Sequence, residues 1–157
     1  MTISTVQKEV LQLMALGKSD PQIGRHLRGG RAEKVPGNGD KDRGANVVRT
    51  ILDRLDASGR VHAVDIGCRL GLVDLPEGIC PPEQGIPPHQ LQPAVLLASG
   101  LPYKEIARRL DRSPLTVKSN LHRLYGRLGA ESGAHAVYTL HALKELPTDH
   151  PCECSKP

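Results

Sequence analysis

This chain is written twice, and that repetition constrains its fold more than any other feature. Leu13-Met14, Gly17, Ile23 and Leu27 recur in order and spacing as Leu96-Leu97, Gly100, Ile106 and Leu110. Further on, Leu55 and His62-Ala63-Val64 recur without a gap as Leu128 and His135-Ala136-Val137. A repeat means one supersecondary unit used twice, so each copy has to be read as its own small fold. Between these anchors the first copy is longer by 10 residues, which must fall within residues 28–44, a stretch rich in Gly, Arg and Lys. So polar a stretch buries too little to order itself. It is expected either as a disordered loop or as a basic arm lying along phosphates or the minor groove.

The organisation that follows is a first unit over 1–73, a Pro-rich acidic linker over 74–85, a second unit over 86–146 and a flexible tail over 147–157. The linker's prolines favour an extended, stiff path, which at ~3.1 Å per residue reaches roughly 40 Å. Charge follows the same division. The net charge of +4 is the sum of two basic units, +4 each, offset by the acidic linker and tail. A basic unit suggests a polyanionic partner.

Both copies read as helical. In the first, Val6, Val10, Leu13 and Met14 form one apolar stripe. Gly17 then ends that helix, and Asp20-Pro21 is read as an N-cap with a first-turn proline, opening a short helix through Ile23 and Leu27. In the second, Tyr103 to Leu110 is the matching short helix, and Ser113-Pro114 opens a longer one with the stripe Val117, Leu121, Leu124, Leu128. A fourth helix is expected in each copy, near Val61–Leu72 and Ala134–Leu146. Pro93 should mark the start of a helix or a bend in it, since proline removes a helix hydrogen bond and crowds the preceding turn. The fold class expected is all-α: two small four-helix helix-turn-helix units in tandem, joined by the Pro-rich linker.

Composition excludes several functions. There is no Phe or Trp and only three Tyr. Stacking platforms for RNA or single-stranded DNA need more aromatics than that, and a large β-sandwich is disfavoured. No apolar run approaches the ~18 residues of a membrane span, and no signal peptide is visible. A soluble, cytoplasmic protein is expected. Arg, Ala and Gly usage is compatible with a GC-rich bacterial or phage genome. Four cysteines without a secretion signal do not suggest disulfides. Cys68 is expected as a small core residue, Cys80 lies in the linker, and Cys152 and Cys154 sit in the tail without a second ligand pair. No Ser or Cys pairs with His and a carboxylate at motif spacing, and the Gly-rich stretch lacks a phosphate-loop Lys. No enzymatic activity, cofactor or metal is expected.

A short helix, a tight turn and a longer helix with a polar outer face make the helix-turn-helix pattern. The run Ala98 to Gly129, with Glu105-Ile106-Ala107, Thr116-Val117-Lys118 and Leu128-Gly129, resembles the LuxR-type (GerE-like) DNA-binding domain. Ile3 to Gly17 resembles the opening helix of that family. The first copy departs from the pattern: Gly44, Ala45 and Asn46 stand where Val117, Lys118 and Ser119 stand in the second. The family usually attaches this domain to a receiver or sensing domain, and nothing here is long enough to be either.

The helix opening at Ser113, with its apolar stripe turned inward, presents Lys118, Ser119 and His122 outward. An α-helix enters the major groove with its N-terminal half reading base edges, and the resemblance implies base contacts at these same three positions. Thr116, Arg123 and Arg127 flank them and suit phosphates. Ser113 caps the helix N-terminus, itself a phosphate site, and Lys104 and Arg112 are placed to clamp the backbone. In the first copy the candidates are Arg43, Asn46 and Arg49; Asn reads adenine and Arg reads guanine in bidentate fashion. Arg108 and Arg109 are read as ordinary surface charges, and Gly24 and Ala107 as small residues allowing close helix crossing. In the family the fourth helix is the usual dimer contact. Here Val64, Leu70 and Leu72, and Val137, Leu140 and Leu143, are expected to pair the two fourth helices, within one chain or between two. The functions expected are a sequence-specific duplex DNA-binding transcription regulator or, alternatively, a module that sequesters another regulator or a phage recombination accessory factor.

Overall fold

The computed structural model describes residues 2–29 and 39–146, and among these it is entirely helical. Eight helices follow in order: α1 (Thr5–Ala15), α2 (Asp20–Leu27), α3 (Gly39–Leu55), α4 (Arg60–Arg69), α5 (Pro88–Ala98), α6 (Tyr103–Arg109), α7 (Pro114–Leu128) and α8 (Gly133–Ala142). Residues 30–38, the centre of the stretch expected as a loop or basic arm, and the tail, with Cys152 and Cys154, lie outside the described residues.

Helices α1–α4 pack around one apolar cluster built on Val10, Leu11, Met14, Ile23, Val48, Ile51 and Val64. Helices α5–α8 pack around a second, built on Ala94, Ile106, Val117, Leu121, Leu124, Val137 and Leu140. Burial supports the register of the repeat past the extra residues. The buried residues of α3 are Gly44, Val48, Ile51 and Leu55. Each stands 73 positions before the α7 stripe of Val117, Leu121, Leu124 and Leu128, whose first three residues are buried and whose last packs against the core.

Several expectations need correction. Ser19, not Asp20, caps α2: its backbone N–H donates to Gln22 Oε1 (2.8 Å), and Asp20 is already the first helical residue. Val6 is half-exposed and Gln7 takes the inward position. Ser4 and Gln7 form a capping box, which turns α1 so that Gln7, Val10, Leu11 and Met14 face the core. Helix α5 does not start at Pro93, one of the two alternatives expected there; it starts at Pro88, where a proline costs no hydrogen bond, and continues through Pro93, buried on the core side. The fourth helices are shorter than expected and end at Arg69 and Ala142.

Part of the Gly- and Lys-rich stretch is helical. Residues 39–44 form the first turns of α3, held by Arg28–Asp40 at 3.2 Å. The reason is a glycine contact. A Cβ on Gly24 would run into the Asp40 carbonyl, and a Cβ on Gly44 would run into the Asp20 carbonyl. With no side chain at either crossing, the backbones of α2 and α3 lie against each other, and the extension of α3 is ordered by that packing.

The two groups also touch. Helices α4 and α8 pack directly, and α1 meets α8 while α4 meets α5. The contact has an approximate two-fold relation. Gly17 of the first copy lies under His135 and Glu131 of the second, with a built Cβ 3.5 Å from each; its counterpart Gly100 lies under His62 and Ser58 of the first. Ser58 Oγ donates to the Gly100 carbonyl at 2.9 Å. Residue i contacting j while j contacts i is the signature of an isologous interface, here formed within one chain.

The face that makes this contact is not the expected one. Leu70 is exposed because α4 has ended and Gly71 turns the chain at a φ of 67°. Val64, Val137 and Leu140 belong to the cores of their own groups. The crossing residues are Val61, Asp65 and Cys68 on α4 and Ala134, Tyr138 and His141 on α8. Val61 packs on the second cluster, and Ala134 and Tyr138 pack in the first. These are the same three repeat positions in each copy. The start of the linker is tied to this contact: Asp74 N–H donates to Gln12 Oε1 (2.8 Å), and Tyr138 Oη–H donates to the Asp74 carbonyl (3.0 Å).

Candidate nucleic-acid interface

The α6–turn–α7 unit holds most of the candidates. Ser113 caps α7, its Oγ accepting from the Thr116 N–H at 3.1 Å, and Pro114 takes the first helical position. At the other end Gly129 closes the helix in the left-handed region with a φ of 63°. With Val117, Leu121 and Leu124 buried, the helix turns Lys118, Ser119, His122, Arg123 and Arg127 to solvent. All three base-reading candidates therefore share one open face. The His122 ring stands edge-on to Tyr125, with centroids 5.8 Å apart. Tyr125 is itself half-buried, and burial pushes its phenol well above the usual range, so it stays neutral beside His122.

Thr116 and Arg112 meet beside α5. They line a cleft of about 270 Å³ together with His89, Gln92, Pro93 and Asn120. Nothing local in the sequence marks His89, Gln92 and Asn120, because the cleft exists only where α5 crosses α7. Lys104 is exposed at the start of α6. Arg108 and Arg109 are held by Glu105, with Arg108 Nη2 donating at 2.6 Å and Arg109 Nε at 3.3 Å. The Arg108 hydrogen bond keeps the Glu105 carboxyl below its usual range. Both arginines act as surface charges with a local partner.

In the first copy α3 presents Arg43, Asn46 and Arg49 to solvent, on the face opposite Gly44, Val48 and Ile51. Arg43 lies 3.9 Å from Asp40. Asn46 and Arg49 stand at the repeat positions of Ser119 and His122. The structure thus sets most of the candidates in two groups, one per copy, each on its third helix, while Lys104 lies on α6 and Arg112 in the turn between α6 and α7.

No group of three His, Cys, Asp or Glu suited to a metal occurs among the described residues, and none of their helices is long and apolar enough to cross a membrane.

Compared with known families, residues 90–128 match the family described as sigma-70, region 4. No curated protein and no solved structure matches the chain. The matched segment runs from the first turn of α5 to the end of α7. It supports a helix-turn-helix domain of the DNA-binding, transcription-related kind over α5–α7.

Proposed function

We propose that this protein is a sequence-specific duplex DNA-binding transcription regulator that acts through two helix-turn-helix heads carried on one chain. The observation that supports the reading is the pairing of α4 with α8, in which each copy meets the other through the same repeat positions. A DNA duplex has two-fold symmetry of its own, so a paired set of heads suits two half-sites about one helical turn (~34 Å) apart. Fourth helices that make the contact between heads are what the LuxR-type resemblance implies, and α8 continues the fold beyond the segment matched to sigma-70 region 4.

The two heads carry different side chains. Lys118, Ser119 and His122 of one face the tasks that Ala45, Asn46 and Arg49 take in the other. The operator is then an inverted pair of unlike half-sites, guanine-containing where Lys118 and His122 read and containing adenine or guanine where Asn46 and Arg49 read. Thr116, Arg123, Arg127, Lys104, Arg112 and Arg43 supply phosphate contacts, and the protein works in the cytoplasm.

Selection from a random duplex pool, followed by gel shift across a salt series, tests this. A recovered site should bind with an affinity that falls steeply with salt. Lys118→Ala should weaken it about 5–150-fold, the cost of one good base contact. Tight capture of another transcription regulator with no site recovered would establish the sequestering module instead.

A further inference from the structure

Leu115 is 73% exposed, more than any other large apolar side chain among the described residues. Single exposed leucines are common on protein surfaces, but this one has an unusual address. It is the second residue of α7, directly behind the Ser113 cap and Pro114. At 3.6 residues per turn, Lys118, Ser119 and His122 all fall within about 60° of it around the helix. The buried Val117, Leu121 and Leu124 lie on the far side. Leu115 therefore stands in the middle of the reading face and at its leading end, the part of a recognition helix that meets base edges first.

We propose that Leu115 is a specificity-determining residue that packs on the C5-methyl group of a thymine in the major groove. This rests on the DNA-reading function proposed above. A leucine gains nothing beside a phosphate and cannot hydrogen-bond a base. The thymine methyl is the one apolar group that a base pair shows in the major groove. Lys118 and His122 beside it donate to guanine, so the half-site read by α7 combines a thymine with neighbouring guanine. The repeat position in the first copy is Asp42, also exposed. A carboxylate there accepts from a cytosine amino group, so the two half-sites differ at this step as well.

The test uses the full chain and the site it selects from a random duplex pool. Each thymine of the half-site read by α7 is replaced singly by deoxyuridine, which removes the methyl and leaves every hydrogen bond. One replacement should weaken wild-type binding about 4-fold, the effect of one buried methyl-sized group. Leu115→Ala should bind more weakly than wild type and no longer respond to that replacement, while still responding to guanine changes opposite Lys118. Its urea midpoint should match wild type. If no thymine replacement changes wild-type binding, or if Leu115→Ala stays as sensitive as wild type, the assignment is wrong although the DNA-reading function stands. If the pool yields no site at all, both fall.

Discussion

Asp65 and His141 meet 2.7 Å apart where α4 crosses α8, and both side chains are almost wholly buried. The carboxylate accepts from His141 Nε2–H and also pairs with Arg69 at 2.8 Å. The repeat turns this contact into a comparison. Asp65 stands at the repeat position of Tyr138, and His141 at that of Cys68. The pseudo-two-fold mate of the Asp65–His141 pair is therefore Tyr138 with Cys68, two side chains of the first apolar cluster. One side of the contact is polar and the other is not. Removing one partner of a buried pair leaves the other uncompensated, at a cost of about 3–5 kcal/mol. Asp65→Ala should cost that much in urea unfolding, since it strands both His141 and Arg69. Asp65→Tyr combined with His141→Cys copies the opposite side of the contact and should recover part of the loss. A single variant within 1 kcal/mol of wild type would mean that the pair carries no stability.

Acid should loosen the contact between the two copies through His62. Its Nδ1 accepts the Ser58 N–H at 3.2 Å, and Ser58 in turn holds the Gly100 carbonyl. Burial lowers the His62 pKa, an effect larger than the opposing pull of Asp65 and Asp56 and reinforced by Arg69. The unfolded chain, with His near 6.5, then binds the proton more readily than the folded one. Stability is fully present above about pH 6.5 and falls as pH drops through the lowered folded value. Urea midpoints between about pH 7 and pH 5 should decline less steeply in His62→Gln than in wild type. Equal slopes would remove His62 from the account.

Glycine-to-alanine substitutions should split by location. A Cβ at Gly24 or Gly44 meets backbone carbonyl on the facing helix, which cannot swing aside. Overpacking of this kind costs about 1–3 kcal/mol or more, which exceeds the gain of ~1 kcal/mol in helix propensity. Gly126 lies mid-helix in α7 with open space around a built Cβ. There the propensity gain is unopposed, so Gly126→Ala should stabilise by up to about 1 kcal/mol. Thermal melts of the three variants would show the opposite signs.

The described cysteines should differ in reactivity. Cys80 is exposed on the linker, whereas Cys68 is buried and burial, helped by Asp65, pushes its thiol up to about 12. Alkylation at pH 8, read by peptide mass mapping, should modify Cys80 in the native protein and Cys68 only after unfolding. Equal rates at both would show that the α4–α8 contact opens freely.

The two-headed reading makes its own mutational forecast. Arg49→Ala and Lys118→Ala should each relax the base preference of a different half of the selected site. Each should cost about 1–3 kcal/mol of discrimination there. Relaxation of the same half by both would place a single head on the DNA.

What the amino-acid sequence determined by itself is local. The Ser113-Pro114 opening of α7, the apolar stripe of α7 and the open face of Lys118, Ser119 and His122 all follow from capping chemistry and from a period of 3.6 residues. Each is set by residues within a few turns of one another, and so each is legible in one dimension. What the tertiary structure alone decided lies between elements. The ordered start of α3 depends on Gly24 and Gly44 admitting backbone to backbone across a crossing that no local pattern announces. The contact between the copies runs through Asp65, Cys68, Tyr138 and His141, of which only Cys68 reads as a core residue in the sequence. Their polar groups become buried only because a partner from the other copy arrives to satisfy them, and a partner 76 residues away leaves no periodic trace.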